Sequence, residues 1–146
     1  MERIKDLNCL LDKQRELEHI MEVRRANVEH SEYKEFLICG GTGCVSAASL
    51  ELLENMKKEI ANLGLGEKAN ASITGCFGFC EKGPIVKVFP EDVFYVGVKP
   101  EDGSRIIKAH LIEGTKVERL LYEEPTLKMK VETQHEMEFY KKQERI

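Results

Sequence analysis

Four residues separate Cys39 from Cys44, three separate Cys76 from Cys80, and residues 45–75 lie between the two pairs. Glycine surrounds both: Cys39-Gly40-Gly41-Thr42-Gly43-Cys44 and Gly75-Cys76-Phe77-Gly78-Phe79-Cys80. Four thiolates carried on two turns can ligate iron or zinc, and glycine lets backbone N–H groups approach the sulfurs. A [2Fe-2S] centre has two irons, each taking two protein sulfurs, so it needs two loops that present a pair apiece. Cys39, Cys44, Cys76 and Cys80 are the candidate ligands, and a [2Fe-2S] cluster is the expected cofactor, with one loop's pair on each iron as the simplest assignment. Structural zinc sites usually use C-x2-C knuckles that fold round a single ion, although spacings up to x4 occur. A structural four-cysteine zinc module for interactions is therefore the alternative reading. Thiol redox chemistry is a third, but its usual C-x-x-C motif is missing. The spacing matches neither the plant-type nor the bacterial two-cluster ferredoxin series.

Other residues near the two loops are candidates for tuning. Gly40, Gly41, Gly43, Gly75 and Gly78 can place N–H donors on sulfur or simply satisfy turn geometry. Phe77 and Phe79 can shield a cluster, face a partner or pack in the core. Lys82 can favour a reduced, more anionic centre or guide an acidic partner, though a surface lysine is ordinarily a solvated charge. Cys9 has no second cysteine nearby and reads as a bystander. His19, His30, His110 and His135 show no ligand spacing, and His110 reads as an ordinary helix residue. Gly41-Thr42-Gly43-Cys44-Val45-Ser46 only echoes the dinucleotide fingerprint, because Ser46 replaces the third glycine, and no lysine makes it a P-loop.

At 146 residues the chain suits one domain with extensions. A net charge of −4 argues against nucleic acid as the partner, since phosphate binding needs a basic face. No apolar run is long enough to span a membrane, and the charged start, Met1-Glu2-Arg3-Ile4-Lys5-Asp6, lacks a signal-peptide core. The expected address is the cytoplasm, where clustered cysteines more often mean metal or redox chemistry than structural disulfides.

The elements that must position the cysteines follow from periodicity. Ile4, Leu7, Leu10, Leu11, Leu17, Ile20 and Met21 recur at helical steps over residues 1–29 and predict an amphipathic helix. Its stripe is expected to pack on the domain or on a second copy, or else to dock another subunit. Gln14 interrupts the stripe and argues against a long coiled coil. Residues 33–38 read as a strand running into Cys39, and residues 45–61 as a helix with Cys44 at its start, where free N–H groups favour a thiolate. A second strand over 69–74 ends at the Cys76 loop. A hairpin over 85–89 and 93–98 follows, then a helix through about Glu113 with Ile106, Ile107 and Leu111 inward. Helix, β-α-β and β-β-α is the outline of an α/β, thioredoxin-like fold. The domain reading is an N-terminal helical extension over 1–32, a thioredoxin-like domain carrying the four cysteines over 33–122, and a charged linker or tail over 123–146.

Cys39-Gly-Gly-Thr-Gly-Cys44, Thr74-Gly-Cys76-Phe-Gly-Phe-Cys80-Glu-Lys-Gly-Pro84, Val88-Phe89-Pro90 and Tyr95-Val-Gly-Val-Lys-Pro-Glu-Asp102 together resemble the thioredoxin-like [2Fe-2S] ferredoxin domain. The resemblance runs from about Phe36 to Tyr122 and takes in His110-Leu-Ile-Glu-Gly114 and Val117-Glu-Arg-Leu-Leu-Tyr122. More narrowly, the chain is similar to the N-terminal domain of the flavin-bearing, NAD(P)H-binding subunit of NAD(P)-reducing iron hydrogenases and of related complex I-type NADH dehydrogenases.

That resemblance implies a one-electron carrier. Its partners would be a flavin- and NAD(P)H-binding domain or subunit and other iron-sulfur subunits, with a homodimer as a further possibility. Phe139-Tyr-Lys-Lys-Gln-Glu-Arg-Ile146 is similar to the segment that opens the flavin domain in those subunits. The flavin and nucleotide site itself is absent, so the expectation is a fragment of a longer flavoprotein or a short paralogue, and nothing here supports hydride transfer by this chain alone.

Overall fold

The structure, a computed structural model, describes residues 3–25, 31–125 and 128–143. The end of the predicted first helix (26–29), His30, and Glu144, Arg145 and Ile146 of the flavin-domain-like segment lie outside the described residues.

Strand β1 (Lys34–Cys39) is the hub of the fold. Every residue from Glu35 to Cys39 is buried, as a central strand covered on both faces requires. It pairs in parallel with β2 (Ala69–Thr74), from Lys34 opposite Ala69 to Cys39 opposite Thr74. On its other side it pairs antiparallel with β3 (Val86–Phe89), which in turn pairs with β4 (Val93–Tyr95). The sheet order is β2-β1-β3-β4. Two parallel strands end on the same side of a sheet, and an antiparallel third begins there. This places the loop after β1, the loop after β2 and the entry to β3 together at one end, and those three segments carry Cys39, Cys44, Cys76 and Cys80.

The crossover between β1 and β2 is two helices where the sequence predicts one. α2 (Thr42–Ser46) and α3 (Ser49–Asn62) are separated at Ala48, which adopts a left-handed φ of 66°. The break lets α2 aim Cys44 inward while α3 lays Leu52, Leu53, Met56 and Ile60 on the sheet. α4 (Asp102–Lys108) packs beside α3 so closely that a Cβ on Gly103 would lie 2.9 Å from Met56 Cγ. α4 runs on as a single π-helical turn over Ala109–Glu113, burying Ile106, Ile107 and His110. Here the sequence reading of His110 is incomplete. Its Nε2 lies 2.8 Å from the Tyr95 hydroxyl, which also accepts the Val117 N–H at 2.9 Å. The His110 Nδ1 lies 3.9 Å from Glu91.

The N-terminal helix is α1 (Leu7–Arg24), capped by Asp6, whose carboxylate accepts the Cys9 N–H at 2.8 Å. Its apolar stripe is not covered by the domain: Leu7, Leu10, Leu11, Leu17 and Met21 are all exposed. Packing of the stripe on the domain, one of the sequence expectations, is thus confined to the C-terminal end of the helix, where Ile20 is half-buried and the neighbouring His19 meets Tyr33 edge-on at 5.7 Å. Val23 packs with Leu37 and Phe89, and Arg24 grips the buried Glu35 of β1 through two bonds of 2.5 and 2.6 Å.

The segment read as a linker is structured. β5 (Tyr122–Glu124) pairs with β6 (Met129–Val131). The chain then runs along the open edge of β4, where Phe94 N–H donates to Glu132 O at 2.8 Å and Thr133 bridges Val93. A capping box between Thr133 and Glu136 opens a 3-10 turn over Gln134–Glu136, and after Met137 the chain forms α5 (Glu138–Lys141), which ends at the cysteine loops. A polar composition hid this because the segment is fixed by sheet-edge bonds and a few aromatic anchors, without an apolar period of its own.

Candidate metal centre

Cys39 is the last residue of β1, held by its N–H on Ile85 O at 3.0 Å, and Cys44 lies in α2. Both are buried, whereas Cys76 and Cys80 are exposed, and none of the five cysteines is in a disulfide. The two loops close on one another. A Cβ placed on Gly41 of the first loop would stand 3.0 Å from Cys76 Sγ and 3.6 Å from Cys39 Sγ. A Cβ on Gly83, just after the second loop, would stand 2.6 Å from Cys44 Sγ. Glycine is thus needed on each loop because a sulfur of the other loop, or of its own, fills the space. Within the second loop, Cys76 Sγ and Cys80 Sγ are 3.5 Å apart.

This donor set fits a sulfur-ligated iron centre: two pairs on facing turns, with glycine backbone against sulfur. Among the described residues no group of three or more His, Cys, Asp or Glu side chains is arranged to hold a single metal ion.

The electrostatics of the metal-free thiols differ from one sulfur to the next. Burial first, then its hydrogen bond with Cys39, pushes the Cys44 thiol up to about 12, against a backbone hydrogen bond at Ile85. The Gly78 N–H, donating to Cys76 Sγ at 3.3 Å, is the main cause that holds the Cys76 thiol below its ordinary value, and Cys80 adds to it. Cys80 is raised in turn by its bond to Cys76. Metal binding must expel the proton from Cys44, and burial of that sulfur makes this the costly deprotonation of the set.

Of the glycines proposed as sulfur donors, Gly78 serves as one, with a φ of +80° that turns its N–H back toward Cys76. Gly40 instead gives its N–H to Thr74 O at 3.0 Å. Phe77 and Phe79 combine two of their predicted roles. Phe77 meets Phe94 edge-on at 5.5 Å and Phe79 meets Tyr122 at 5.1 Å, so they pack while walling the sulfurs. Lys82 pairs with Glu81 at 3.5 Å on the surface. Cys9 stays on α1, and His19 and His135 take no part in the site.

Residues that sequence reading passed over complete the wall. Met137 is fully buried beside Cys39, Cys44, Ile85, Phe94 and Tyr122. Tyr140 packs its ring on Phe94 and Phe79, and its hydroxyl donates to Phe77 O at 2.8 Å. Burial, and then the nearby Cys39, Cys76 and Cys80, push the Tyr140 hydroxyl up to about 12. The aromatic pair Phe139-Tyr140 in an otherwise charged tail was the available signal.

A ferredoxin of Clostridium pasteurianum described as "Ferredoxin, 2Fe-2S" is 39% identical to this chain over 77 residues, which are 53% of this chain and 76% of that protein. The chain belongs to the thioredoxin-like [2Fe-2S] ferredoxin family. A second family member, the 2Fe-2S ferredoxin of Aquifex aeolicus, is 50% identical over 48 residues, 33% of this chain and 43% of that protein. Its fold agrees as well. The crystal structure of the thioredoxin-like [2Fe-2S] ferredoxin from Aquifex aeolicus superposes with a TM-score of 0.56 at 33% identity, covering 60% of this chain and 88% of that one. No protein-family model matches the chain.

Proposed function

We propose that Cys39, Cys44, Cys76 and Cys80 hold a [2Fe-2S] cluster and that the chain carries electrons one at a time. The observation that carries this reading is the reciprocal packing of glycine against sulfur across the two loops: Gly41 at Cys76 and Gly83 at Cys44. When bound, the cluster supplies a one-electron acceptor whose charge becomes more negative on reduction. The chain's own residues do the rest. The buried Cys39 and Cys44 anchor the site in the core, the Gly78 N–H partly neutralises Cys76, and Phe77, Phe79 and Tyr140 limit water at one flank. Cys76 and Cys80 lie on the exposed side, so a donor or acceptor approaches the site there.

The partner we propose is a flavin- and NAD(P)H-binding domain or subunit of a hydrogenase or NADH dehydrogenase assembly with further iron-sulfur subunits. Its support is the resemblance over residues 36–122 and at Phe139-Tyr140, together with the uncovered stripe of α1. A second copy of the chain is the competing cover for that stripe. Among the described residues no helix is long and apolar enough to cross a membrane. The proposed location is the cytoplasm.

Anaerobic purification tests the cluster. A red-brown protein with about two irons and two sulfides per chain is expected. A colourless protein with one zinc overturns the reading in favour of a structural four-cysteine module. Cys9→Ser should keep the colour and Cys76→Ser should lose it. For the partner, NADH should bleach the visible band only when a flavin-bearing NADH-binding subunit is added. Sedimentation velocity reports whether the chain pairs with itself.

A further inference from the structure

The Phe77 carbonyl and the Gly78 N–H are the two ends of one trans peptide unit. Its oxygen accepts the Tyr140 hydroxyl at 2.8 Å, and its N–H donates to Cys76 Sγ at 3.3 Å. In a trans peptide these two groups point in opposite directions, so fixing one fixes the other. Gly78, with no side chain and a φ of +80°, offers little resistance to rotation of that unit. A hydrogen bond to the carbonyl also polarises the peptide and strengthens its N–H as a donor. Tyr140 is itself held: its ring meets Phe94 at 6.0 Å and Phe139 at 4.9 Å, and the fully buried Met137 anchors the start of α5.

We infer that Tyr140 is a positioning residue that locks the Phe77–Gly78 peptide so that its N–H stays on Cys76, raising the reduction potential of the site. The inference rests on the cluster reading above. A donor to a ligating sulfur favours the more negative, reduced state. The role belongs to the hydroxyl, since the ring alone would only exclude water.

Redox titration of cluster-loaded wild type, Tyr140→Phe and Tyr122→Phe by dithionite tests it. Tyr122 is a second tyrosine of the same aromatic wall, packed on Phe79 and, among the described residues, without a hydroxyl bond to the loop. Iron, sulfide and visible spectra come first: wild type without two irons and two sulfides ends the cluster reading itself. With the cluster present, Tyr140→Phe should lower the reduced-to-oxidised ratio about threefold at a fixed solution potential. That is ~30 mV more negative at 59 mV per tenfold for one electron. Tyr122→Phe should not move it. The D2O shift of the Fe–S stretching bands should shrink in Tyr140→Phe, a change that altered packing alone would not cause. An unchanged potential in Tyr140→Phe, or an equal shift in Tyr122→Phe, overturns the inference. Should Tyr140→Phe fail to hold the cluster, Tyr140→4-aminophenylalanine decides. Its weaker N–H donor in the same place predicts a potential below wild type, and a wild-type potential there overturns the inference.

Discussion

Gly83 packs directly over Cys44, with a Cβ at Gly83 falling 2.6 Å from the cysteine Sγ and 3.4 Å from Cys80 O. Cys44 is fully buried and cannot swing away, so an alanine at Gly83 must displace backbone that carries two of the four sulfurs. Gly83→Ala is expected to lose most of the bound iron and to destabilise the fold by about 1–3 kcal/mol, the usual cost of overpacking. Gly66→Ala is the control, since nothing lies within 4 Å of a Cβ there. Iron content and urea midpoints check both.

Arg24 is the main polar tie between α1 and the sheet. Its fork meets both oxygens of Glu35, a carboxylate left 1% exposed in the central strand. Arg24→Ala strands a buried charge, and a loss of about 2–3 kcal/mol is expected, below the value for a fully buried pair because the guanidinium is partly in water. The double change Arg24→Met with Glu35→Leu should recover most of it. Denaturant unfolding of the two variants measures the difference.

Glu91 links Lys34 to His110 at the far end of the sheet. Burial works against its ionisation, but the His110 ring, 3.9 Å away, and the hydrogen-bonded Lys34 ammonium outweigh burial and bring its carboxyl down to about 2. A carboxylate with a depressed folded value contributes stability that is present above its unfolded value of ~4.3 and lost as pH falls toward 2. Urea midpoints should therefore decline between about pH 4 and pH 2 in wild type, and Glu91→Gln should flatten that slope.

In the metal-free chain, Cys76 is exposed with a lowered thiol pKa, while Cys44 is buried with its thiol at about 12. Alkylation by iodoacetamide near neutral pH is expected at Cys76 at least tenfold faster than at Cys44. Peptide mass spectrometry of a time course gives both rates, and Cys76→Ser should leave Cys44 slow.

The sequence by itself determined the cysteine set, because two glycine-wrapped pairs at x4 and x3 spacing are local facts that survive any fold. It also determined the β-α-β and β-β-α order, since apolar runs of strand length and one strongly periodic helix carry their own signal; β2 matches at both ends. Tertiary structure alone decided the rest. Parallel pairing of β1 with β2, a contact between residues some 35 positions apart, brought the two loops together. Ala48 split one predicted helix in two because a left-handed residue has no mark in an alanine-serine run. The stripe of α1 reads as a packing face, yet Leu7, Leu10, Leu11, Leu17 and Met21 stay exposed, and among the described residues only the C-terminal end of the helix meets the domain. Met137 and Tyr140 sit in a charged tail whose period says nothing, and His110 looks like any helix residue until Tyr95 and Glu91 are beside it. Their roles arise from neighbours distant in the chain, which residue types and spacing do not encode.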